Sequence, residues 1–193
     1  ERISPEVKAS VIQVDEDGCM HLLSAPSLPA TYAKIIEGMS IRDCIGSSST
    51  AAFIGESVVT SDIETDSTWA VIRDDFLPLG IKSCWSTPIK GAKGVSIGVL
   101  AFYYDEKRIP SPLHQQMVDV ITPLCALAME REVNQENIRQ LAFYDSLTEL
   151  PNRSLLHAKA DHALIEARRT KTSMAVLFID LDRFKQVNDS LGH

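Results

Sequence analysis

Two acidic residues follow an apolar run near the carboxyl end of the sequence. Residues 174–179 read MAVLFI, Asp180 comes directly after them, and Asp182 stands two positions later. A continuous apolar run of this length is typical of a β-strand buried on both faces. Because α/β sheets place ligand sites at the carboxyl ends of such strands, Asp180 is a candidate ligand for Mg²⁺, which binds carboxylates together with substrate phosphates.

A helix is predicted over residues 182–191, immediately after these acids. The unpaired N–H groups and the dipole at the start of a helix favour an anion such as a phosphate. Asn188 lies on this helix and carries both a donor and an acceptor, which lets its side chain pair with the edge of a base. A simpler interpretation stays open, in which Asp180 and Asp182 only stabilise the helix start and Asn188 is a surface residue.

Two helices and a turn precede this strand. Residues 154–169 carry apolar side chains at helical spacing, and residues 145–153 (DSLTELPNR) separate them from a longer helix. Helix, buried strand and helix are the beginning of an α/β sheet domain.

The longer helix is predicted from Pro112 to about residue 143, with Ser111 as its N-cap. Its apolar residues alternate steps of four and three, with two polar positions in the middle: Leu113, Met117, Val120, Leu124, Leu127, Arg131, Asn134, Ile138 and Leu141. This heptad seam predicts a parallel coiled-coil dimer through residues 113–141, in which a buried Asn fixes the register at a cost in stability. Pro123 removes one backbone hydrogen bond, so we expect a kink or support from neighbours there.

The first 110 residues predict an α+β domain of antiparallel strands with short helices on one side. Strands are predicted over residues 8–14, 20–24, 57–59, 84–89 and 95–104, helices over residues 31–37, 50–54 and 69–76, and a polar loop over residues 41–49. Cys84 and Trp85 open one of these strands, and core packing is the simplest role for both.

Composition narrows the function classes. The chain has 193 residues, a net charge of −7 and four isolated cysteines without a CxxC pair. An acidic chain has no electrostatic reason to bind nucleic acid or anionic lipid, and unpaired cysteines indicate a reducing compartment. No apolar run is long enough to cross a bilayer and no signal peptide is present. Both ends look cut, so we expect a cytoplasmic fragment without membrane contact, whose parent could be anchored elsewhere.

Residues 145–153 and 178–185, with Asn188 and Asp189, closely resemble the opening of the GGDEF domain family. These domains make cyclic di-GMP from two GTP, and degenerate forms occur ahead of EAL phosphodiesterase domains. The resemblance covers residues 141–193 and implies that Asp180 and the main-chain carbonyl of Leu181 hold Mg²⁺. It further implies that Asn188 reads guanine and that three main-chain N–H groups bind the triphosphate. These three groups belong to Arg183, Phe184 and Lys185.

The same resemblance makes residues 145–153 the junction between the long helix and the cyclase domain. Its junction residues are Asp145, Leu147, Thr148, Asn152 and Arg153. Glu149 stands where the family usually has a glycine, which is either a tolerated loop change or a shifted hinge. The GG(D/E)EF loop, a second metal carboxylate and a second guanine-reading acid would follow His193, so we expect the fragment itself to be inactive.

Residues 10–131 resemble a GAF domain, a family of small-molecule sensors and dimerisation modules. The resemblance rests on the hairpin VIQVDEDG, the runs GSSSTAAFIGESVVTSDIETD and GIKSCWSTPI, the strand SIGVLAFYY and the helix IPSPLHQQMVDVITPLCALAMERE. It places Cys84 and Trp85 at the start of the strand behind the ligand cavity. No Cys-His pair for a bilin is present, His21 and His114 are poor haem ligands, and Ser48 replaces the cysteine that reductases of this fold carry.

Together these features predict an α+β chain in three parts. A GAF-type antiparallel sheet with flanking helices spans residues 1–130, with the family's first helix mostly missing. A long signalling helix spans residues 113–143, and the start of a truncated α/β nucleotidyl-cyclase-like domain spans residues 144–193. The parent is then a diguanylate cyclase that works as a homodimer under the control of an unknown GAF ligand. Three alternatives stay open: a degenerate GGDEF domain that regulates an EAL phosphodiesterase, a ligand-free GAF dimerisation module, and a redox-active GAF domain.

Overall fold

The computed structural model describes residues 7–180 and residue 182, apart from the side chains of residues 136 and 137. The chain divides into two compact units, Glu1–Asn134 and Gln135–His193. Among the described residues, no helix combines the length and the apolar character needed to cross a lipid bilayer.

The five strands of the first unit form one antiparallel sheet in the order β2-β1-β5-β4-β3. The strands are β1 (Lys8–Val14), β2 (Met20–Ser24), β3 (Val58–Thr60), β4 (Ser83–Lys90) and β5 (Ser96–Tyr104). The helices are α1 (Ala30–Ile36), α2 (Gly46–Ile54), α3 (Arg73–Phe76) and α4 (Pro112–Phe143). The mixed fold of antiparallel sheet and helices that the sequence predicts is confirmed, and β1 and β2 have the predicted bounds.

Both faces of the sheet are covered. The inner face, which carries Ile12, Val99 and Tyr103, packs against α1, α2 and α3. The outer face, which carries Trp85, Leu100 and Phe102, packs against α4. Because successive side chains of a strand point to opposite faces, the long strands β4 and β5 contribute to both layers and are buried almost throughout.

The polar loop predicted over residues 41–49 is wrong. A 3₁₀ helix spans Ile41–Asp43, and α2 begins at Gly46, before the predicted start at residue 50. The hydroxyls of the following residues turn back onto the helix instead of competing with it, since Ser49 Oγ donates to the Ile45 carbonyl at 2.6 Å and Thr50 Oγ1 donates to the Gly46 carbonyl at 2.7 Å.

The single helix predicted over residues 69–76 is also wrong. Two 3₁₀ helices, Ser67–Trp69 and Leu77–Leu79, flank the one-turn α3. The break lies between Trp69 and Arg73, where Ile72 has φ of −117° and ψ of −3°, away from regular α-helical values.

Helix α4 begins where the sequence predicts. Ser111 Oγ accepts a hydrogen bond of 3.3 Å from the His114 backbone N–H, which confirms Ser111 as the N-cap. The helix continues through Pro123. Its buried side packs on the sheet through His114, Val118, Ile121, Cys125 and Met129. The predicted seam lies elsewhere on the helix, and within the first unit its leucines and valine are 51–66% exposed.

The second unit contains the end of α4 and a further helix, α5 (Arg153–Thr170). The strand predicted over residues 174–179 is wrong: residues 172–180 have no regular secondary structure, and Phe178 is 96% exposed. A strand buried on both faces needs a neighbouring strand and a covering layer. No described residue of this unit forms a strand that could pair with it. The helix predicted over residues 182–191 lies outside the described residues.

Candidate functional site

The carboxylate of Asp145 organises the turn that follows α4. Its Oδ1 accepts hydrogen bonds from the backbone N–H groups of Leu147 at 3.2 Å and Thr148 at 3.0 Å, and from the Thr148 hydroxyl at 2.9 Å. The N–H and the hydroxyl of Thr148, followed by the N–H of Leu147, lower the pKa of Asp145 below its ordinary value. The side chain of Leu147 itself is 90% exposed. The DxLT part of the motif is therefore a self-contained turn held by its first residue.

Asn152 connects the two helices on either side of this turn. Its Nδ2 donates to the Ala142 carbonyl at 2.9 Å, and its backbone N–H donates to the Phe143 carbonyl at 2.8 Å. Its Oδ1 accepts from the N–H groups of Ser154 at 2.9 Å and Leu155 at 3.2 Å, as an N-cap does. One side chain thus joins the last turn of α4 to the first turn of α5.

Glu149 adopts a left-handed conformation in the same turn, with φ of 57°. The Glu149 N–H donates to the Asp145 carbonyl at 2.9 Å, and the Asp145 N–H donates to the Leu150 carbonyl at 2.8 Å. Only glycine adopts this region without a steric penalty, so the departure from the family's glycine is a strained position. A hollow of about 550 Å³ lies beside the turn and is bordered by both acids and by Tyr144.

The structure brings four of the five predicted junction residues into one element: Asp145, Leu147, Thr148 and Asn152 all contribute a hydrogen-bonding group to the turn. Arg153 is the first residue of α5, and its Nε contacts His157 Nε2 at 3.4 Å on the surface. The resemblance to the GGDEF motif was the only signal for this turn, because each side chain by itself reads as an ordinary loop residue.

The predicted nucleotide site is described at one residue. Asp180 is exposed and is the last residue of the irregular segment 172–180. The other predicted site residues lie outside the described residues: Leu181, Arg183, Phe184, Lys185 and Asn188. Among the residues that are described, no group of three His, Cys, Asp or Glu side chains could hold a metal ion. An exposed carboxylate is chemically suited to Mg²⁺, which is usually bound by one or two carboxylates together with phosphates and water.

Cys84 and Trp85 point to opposite faces of the sheet, so they do not line one cavity. Trp85 packs on the outer face edge-to-face with Phe102, at 5.8 Å between ring centroids. Cys84 lies on the inner face, with its Sγ 3.5 Å from Ser86 Oγ. Burial raises the pKa of the Cys84 thiol to about 11, and the hydroxyls around it only partly offset this effect. Cys84 therefore stays protonated and unreactive at neutral pH.

Hydroxyl groups that sequence reasoning missed surround Cys84 on the inner face. Tyr32 OH lies 2.8 Å from Ser10 Oγ and 2.7 Å from Tyr103 OH. Ser48 Oγ lies 3.0 Å from Ser86 Oγ. Burial raises the pKa of both tyrosines, so the network is neutral. The available signal was Ser86, which stands two residues after Cys84 and therefore on the same face of β4.

A family model described as GAF domain matches residues 2–130. The chain belongs to the GAF family. A second model, described as "Diguanylate cyclase, GGDEF domain", matches residues 142–193. Each match coincides closely with one of the two regions in which the sequence resembles these families.

Proteins with similar sequences include diguanylate cyclases. The GAF-GGDEF chain is 34% identical over 122 residues to the diguanylate cyclase DgcP of Escherichia coli, which covers 60% of this chain and 36% of that protein. It is 49% identical over 72 residues to the bifunctional diguanylate cyclase/cyclic di-GMP phosphodiesterase MucR of Pseudomonas aeruginosa, covering 37% of this chain and 10% of that protein. The chain thus matches about a third or less of the length of these relatives.

A solved structure supports the fold of the first unit. The GAF domain of an Acinetobacter phosphoenolpyruvate-protein phosphotransferase is similar with a TM-score of 0.54 and 12% sequence identity, covering 70% of this chain and 77% of that one. At this level of identity the likeness concerns the fold alone.

Proposed function

We propose that this chain is the sensory and junction part of a cytoplasmic cyclic di-GMP signalling protein. In this proposal the GAF domain controls a diguanylate cyclase of which residues 142–193 are the beginning. The turn at residues 145–152 carries the proposal, because the motif shared with GGDEF domains is also the structure that joins α4 to α5. The similarity to a diguanylate cyclase and to a bifunctional cyclase/phosphodiesterase supports the same reaction class.

The hydrogen bonds of the turn explain how movement of α4 would reach the cyclase domain. Asn152 holds a carbonyl of α4 and two N–H groups of α5 at once, so a displacement of the α4 end moves the α5 start with it. Asp145 keeps the intervening loop closed. A short, internally bonded turn transmits an orientation better than a flexible linker does.

A dimer is the second part of the proposal. The seam residues Leu113, Val120, Leu124 and Leu127 are exposed, although α4 already uses another side to cover the sheet. A heptad seam that is exposed in one copy is buried in a parallel pair of helices. Synthesis of cyclic di-GMP joins two GTP molecules, and a homodimer through residues 113–141 would bring together two domains that each bind one.

The nucleotide chemistry is proposed by resemblance. Asp180 and the Leu181 carbonyl would hold Mg²⁺, which neutralises phosphate charge when it is bound. Main-chain N–H groups at the start of the predicted helix would hold the triphosphate, and Asn188 would read guanine. The phosphate-binding residues in this proposal are Arg183, Phe184 and Lys185. The resemblance assigns one metal-binding carboxylate, Asp180, to this chain. We therefore do not expect this chain alone to catalyse the reaction.

A second function is favoured by one comparison. MucR combines cyclase and phosphodiesterase in one chain, so the GGDEF portion here could instead regulate a phosphodiesterase. Purified intact protein, given GTP and Mg²⁺ or cyclic di-GMP and Mg²⁺ in separate reactions, distinguishes the two. The proposal expects cyclic di-GMP to form in the first reaction. Hydrolysis in the second reaction without synthesis in the first would replace it by the regulatory alternative.

A further inference from the structure

Helix α4 makes its last contacts with the sheet of the first unit at Met129 and Glu130. Met129 is buried against the outer face and Glu130 is half-buried, whereas residues 131–134 are exposed. The helix then continues into the second unit. Whatever holds Met129 and Glu130 therefore fixes the direction in which α4 leaves the sheet.

The carboxylate of Glu130 binds the turn between β4 and β5. Glu130 Oε1 accepts a hydrogen bond of 2.6 Å from the backbone N–H of Ala92, 38 residues earlier in the chain. A charged acceptor makes such a bond short and strong. The turn itself is closed by the Gly94 N–H, which donates to the Gly91 carbonyl at 2.8 Å. The helix therefore binds an element that is already formed.

Two glycines allow the helix to lie this close to the sheet. A Cβ on Gly91 would lie 3.1 Å from Glu130 Oε1. A Cβ on Gly98 would lie 2.5 Å from the Ile12 carbonyl oxygen and 2.8 Å from Met129 Cε. A side chain at Gly98 would displace the strand or the helix, and one at Gly91 would crowd the carboxylate. The contact between α4 and the β4–β5 hairpin is thus specified on both sides.

Helix α4 has a weak point about two turns before Glu130. Pro123 has no N–H group to donate to the carbonyl of Asp119, one turn earlier. The hydroxyl oxygen of Thr122, beside the proline, is buried and makes no hydrogen bond within the described part of the chain, which is destabilising. A groove of about 540 Å³ borders the helix from Pro123 to Glu130 and leaves room for it to bend.

We propose that Glu130 and the Ala92 N–H form a latch, and that Pro123 is the hinge about which the latched part of α4 moves. When the latch is closed, residues 124–130 are held against the sheet. When it opens, this part of the helix loses its charged anchor and tilts into the groove. The direction of the exposed seam then changes relative to the sheet.

The two strands on either side of the turn connect the latch to the inner core. Strand β4 carries Cys84 and β5 carries Tyr103, and both side chains belong to the core on the inner face. A change in the packing of that core reaches the Ala92 turn along these strands. This proposal rests on the proposed control of a cyclase by the GAF domain, and it names the contact through which the sheet acts on α4.

Hydrogen exchange of the Ala92 amide measures the latch directly. Glu130→Ala removes the acceptor and is expected to raise the exchange rate of this amide by about tenfold or more. Glu130→Gln keeps an oxygen at the same position and should restore much of the protection. Glu132→Ala is the matched control, because Glu132 is exposed on the same helix beyond the latch. The Gly94 amide, which is bonded within the turn, shows in each variant that the turn is intact.

The backbone amides of α4 test the hinge. We expect Glu130→Ala to speed exchange in residues 124–130 and to leave residues 116–122 unchanged. Pro123→Ala supplies the missing N–H group and makes the helix continuous. In the double variant Glu130→Ala/Pro123→Ala, the added exchange in residues 124–130 should therefore disappear. If Glu130 only stabilised the helix locally, the increase would be the same with and without the proline.

Cyclic di-GMP synthesis from GTP and Mg²⁺ by the intact protein measures the output. Glu130→Ala should change the rate by about fivefold or more, the range of allosteric coupling, whereas Glu132→Ala should keep the parent rate. Three outcomes would overturn the proposal: unchanged exchange of Ala92 in Glu130→Ala, added α4 exchange that does not depend on Pro123, or parent-like synthesis by Glu130→Ala.

The exchange measurements need no nucleotide, so the latch and the cyclase are tested separately. A parent protein that makes no cyclic di-GMP would contradict the proposed function, and the exchange of the Ala92 amide would still decide whether the latch exists.

Discussion

Asn152 Nδ2 donates a hydrogen bond of 2.9 Å to the carbonyl of Ala142, ten residues earlier in the chain. The same side chain caps α5 through its Oδ1. The two ends of one amide group therefore serve two helices, and the amide is the single side-chain connection described between the last turn of α4 and the first turn of α5. This relationship makes Asn152 the residue through which the orientation of one helix is imposed on the other.

Replacing Asn152 separates its two roles. Asn152→Ala removes the cap and the bond to Ala142, and the lost cap alone destabilises the start of α5 by about 1 kcal/mol. Asn152→Asp keeps an oxygen for the cap but loses the donor to Ala142. Hydrogen exchange should show faster exchange of the Ser154 and Leu155 amides in the alanine variant and protection in the aspartate variant. Equal protection in both variants would mean that the cap is not formed.

Lowering the pH should open the Asp145 turn. Hydrogen bonds from Thr148 and Leu147 lower the pKa of Asp145 from its ordinary value of 3.8, so the stabilisation is present above that value and is lost as the pH falls through the lower, folded-state pKa. NMR titration of the Asp145 carboxyl and the Thr148 amide should report the same midpoint, below 3.8. Asp145→Asn keeps an acceptor without a charge and should abolish the transition. A midpoint at or above the ordinary value would show that these hydrogen bonds to the Asp145 carboxylate are not formed in solution.

Relieving the strain at Glu149 should stabilise the junction. Glu149 has φ of 57°, a conformation that costs a non-glycine residue about 1–2 kcal/mol. The gain from a glycine at this position is reduced by the greater backbone entropy that glycine loses on folding. We expect Glu149→Gly to raise the free energy of opening of the turn by up to about 1 kcal/mol, measured by native-state hydrogen exchange of the Leu150 amide. Glu149→Ala keeps the strain and is the control. If alanine stabilises the turn as much as glycine does, the effect comes from removal of the charge.

The first unit should lose stability as the pH rises above neutrality. His21 Nδ1 lies 2.7 Å from Glu37 Oε1, and His21 Nε2 lies 2.8 Å from Asp15 Oδ2. These two contacts connect β2 to the end of α1 and to the β1–β2 turn. The hydrogen bond to Glu37, which has the larger effect, and the hydrogen bond to Asp15 raise the pKa of His21 above its ordinary value of 6.5. The stabilisation is therefore complete below 6.5 and disappears as the pH rises through the folded-state pKa. Thermal denaturation between pH 6 and 9 measures it.

The matched variant for this cluster is His21→Gln, which keeps hydrogen-bonding capacity but cannot carry charge. Its melting temperature should not share the alkaline decline of the parent protein. At the acidic end the two carboxylates act in the opposite sense: their pKa values are lowered, so their contribution is lost as the pH falls. A parent and a variant with parallel curves above pH 6.5 would show that the ion pairs are not formed in solution.

Local patterns predicted most of the first unit correctly. Two alternating segments, residues 8–14 and 20–24, and the acidic turn that ends at Gly18 were sufficient to predict the β1–β2 hairpin. The Ser111-Pro112 pair was sufficient to predict the start of α4. The start of α2 is not predictable from composition, because consecutive serines are typical of loops. Their hydroxyls in fact bond back within the helix, a contact that composition does not reveal.

The candidate sites were less predictable, for reasons of tertiary structure. Residues 174–179 have the composition of a buried strand, but a strand also needs partners, and the described residues of the second unit provide none. Adjacency in the sequence suggests one shared site for Cys84 and Trp85, but strand alternation places them on opposite faces of the sheet.

The central claim is that the register of α4 couples the GAF domain to cyclase output. The most direct test inserts one residue after Asn134 in the intact protein and measures cyclic di-GMP synthesis from GTP and Mg²⁺. One residue rotates everything after it by about 100° about the helix axis, whereas insertion of a whole heptad restores the seam. The account predicts that the single insertion changes synthesis strongly and that the heptad insertion restores it. Parent-like synthesis in both proteins would contradict it.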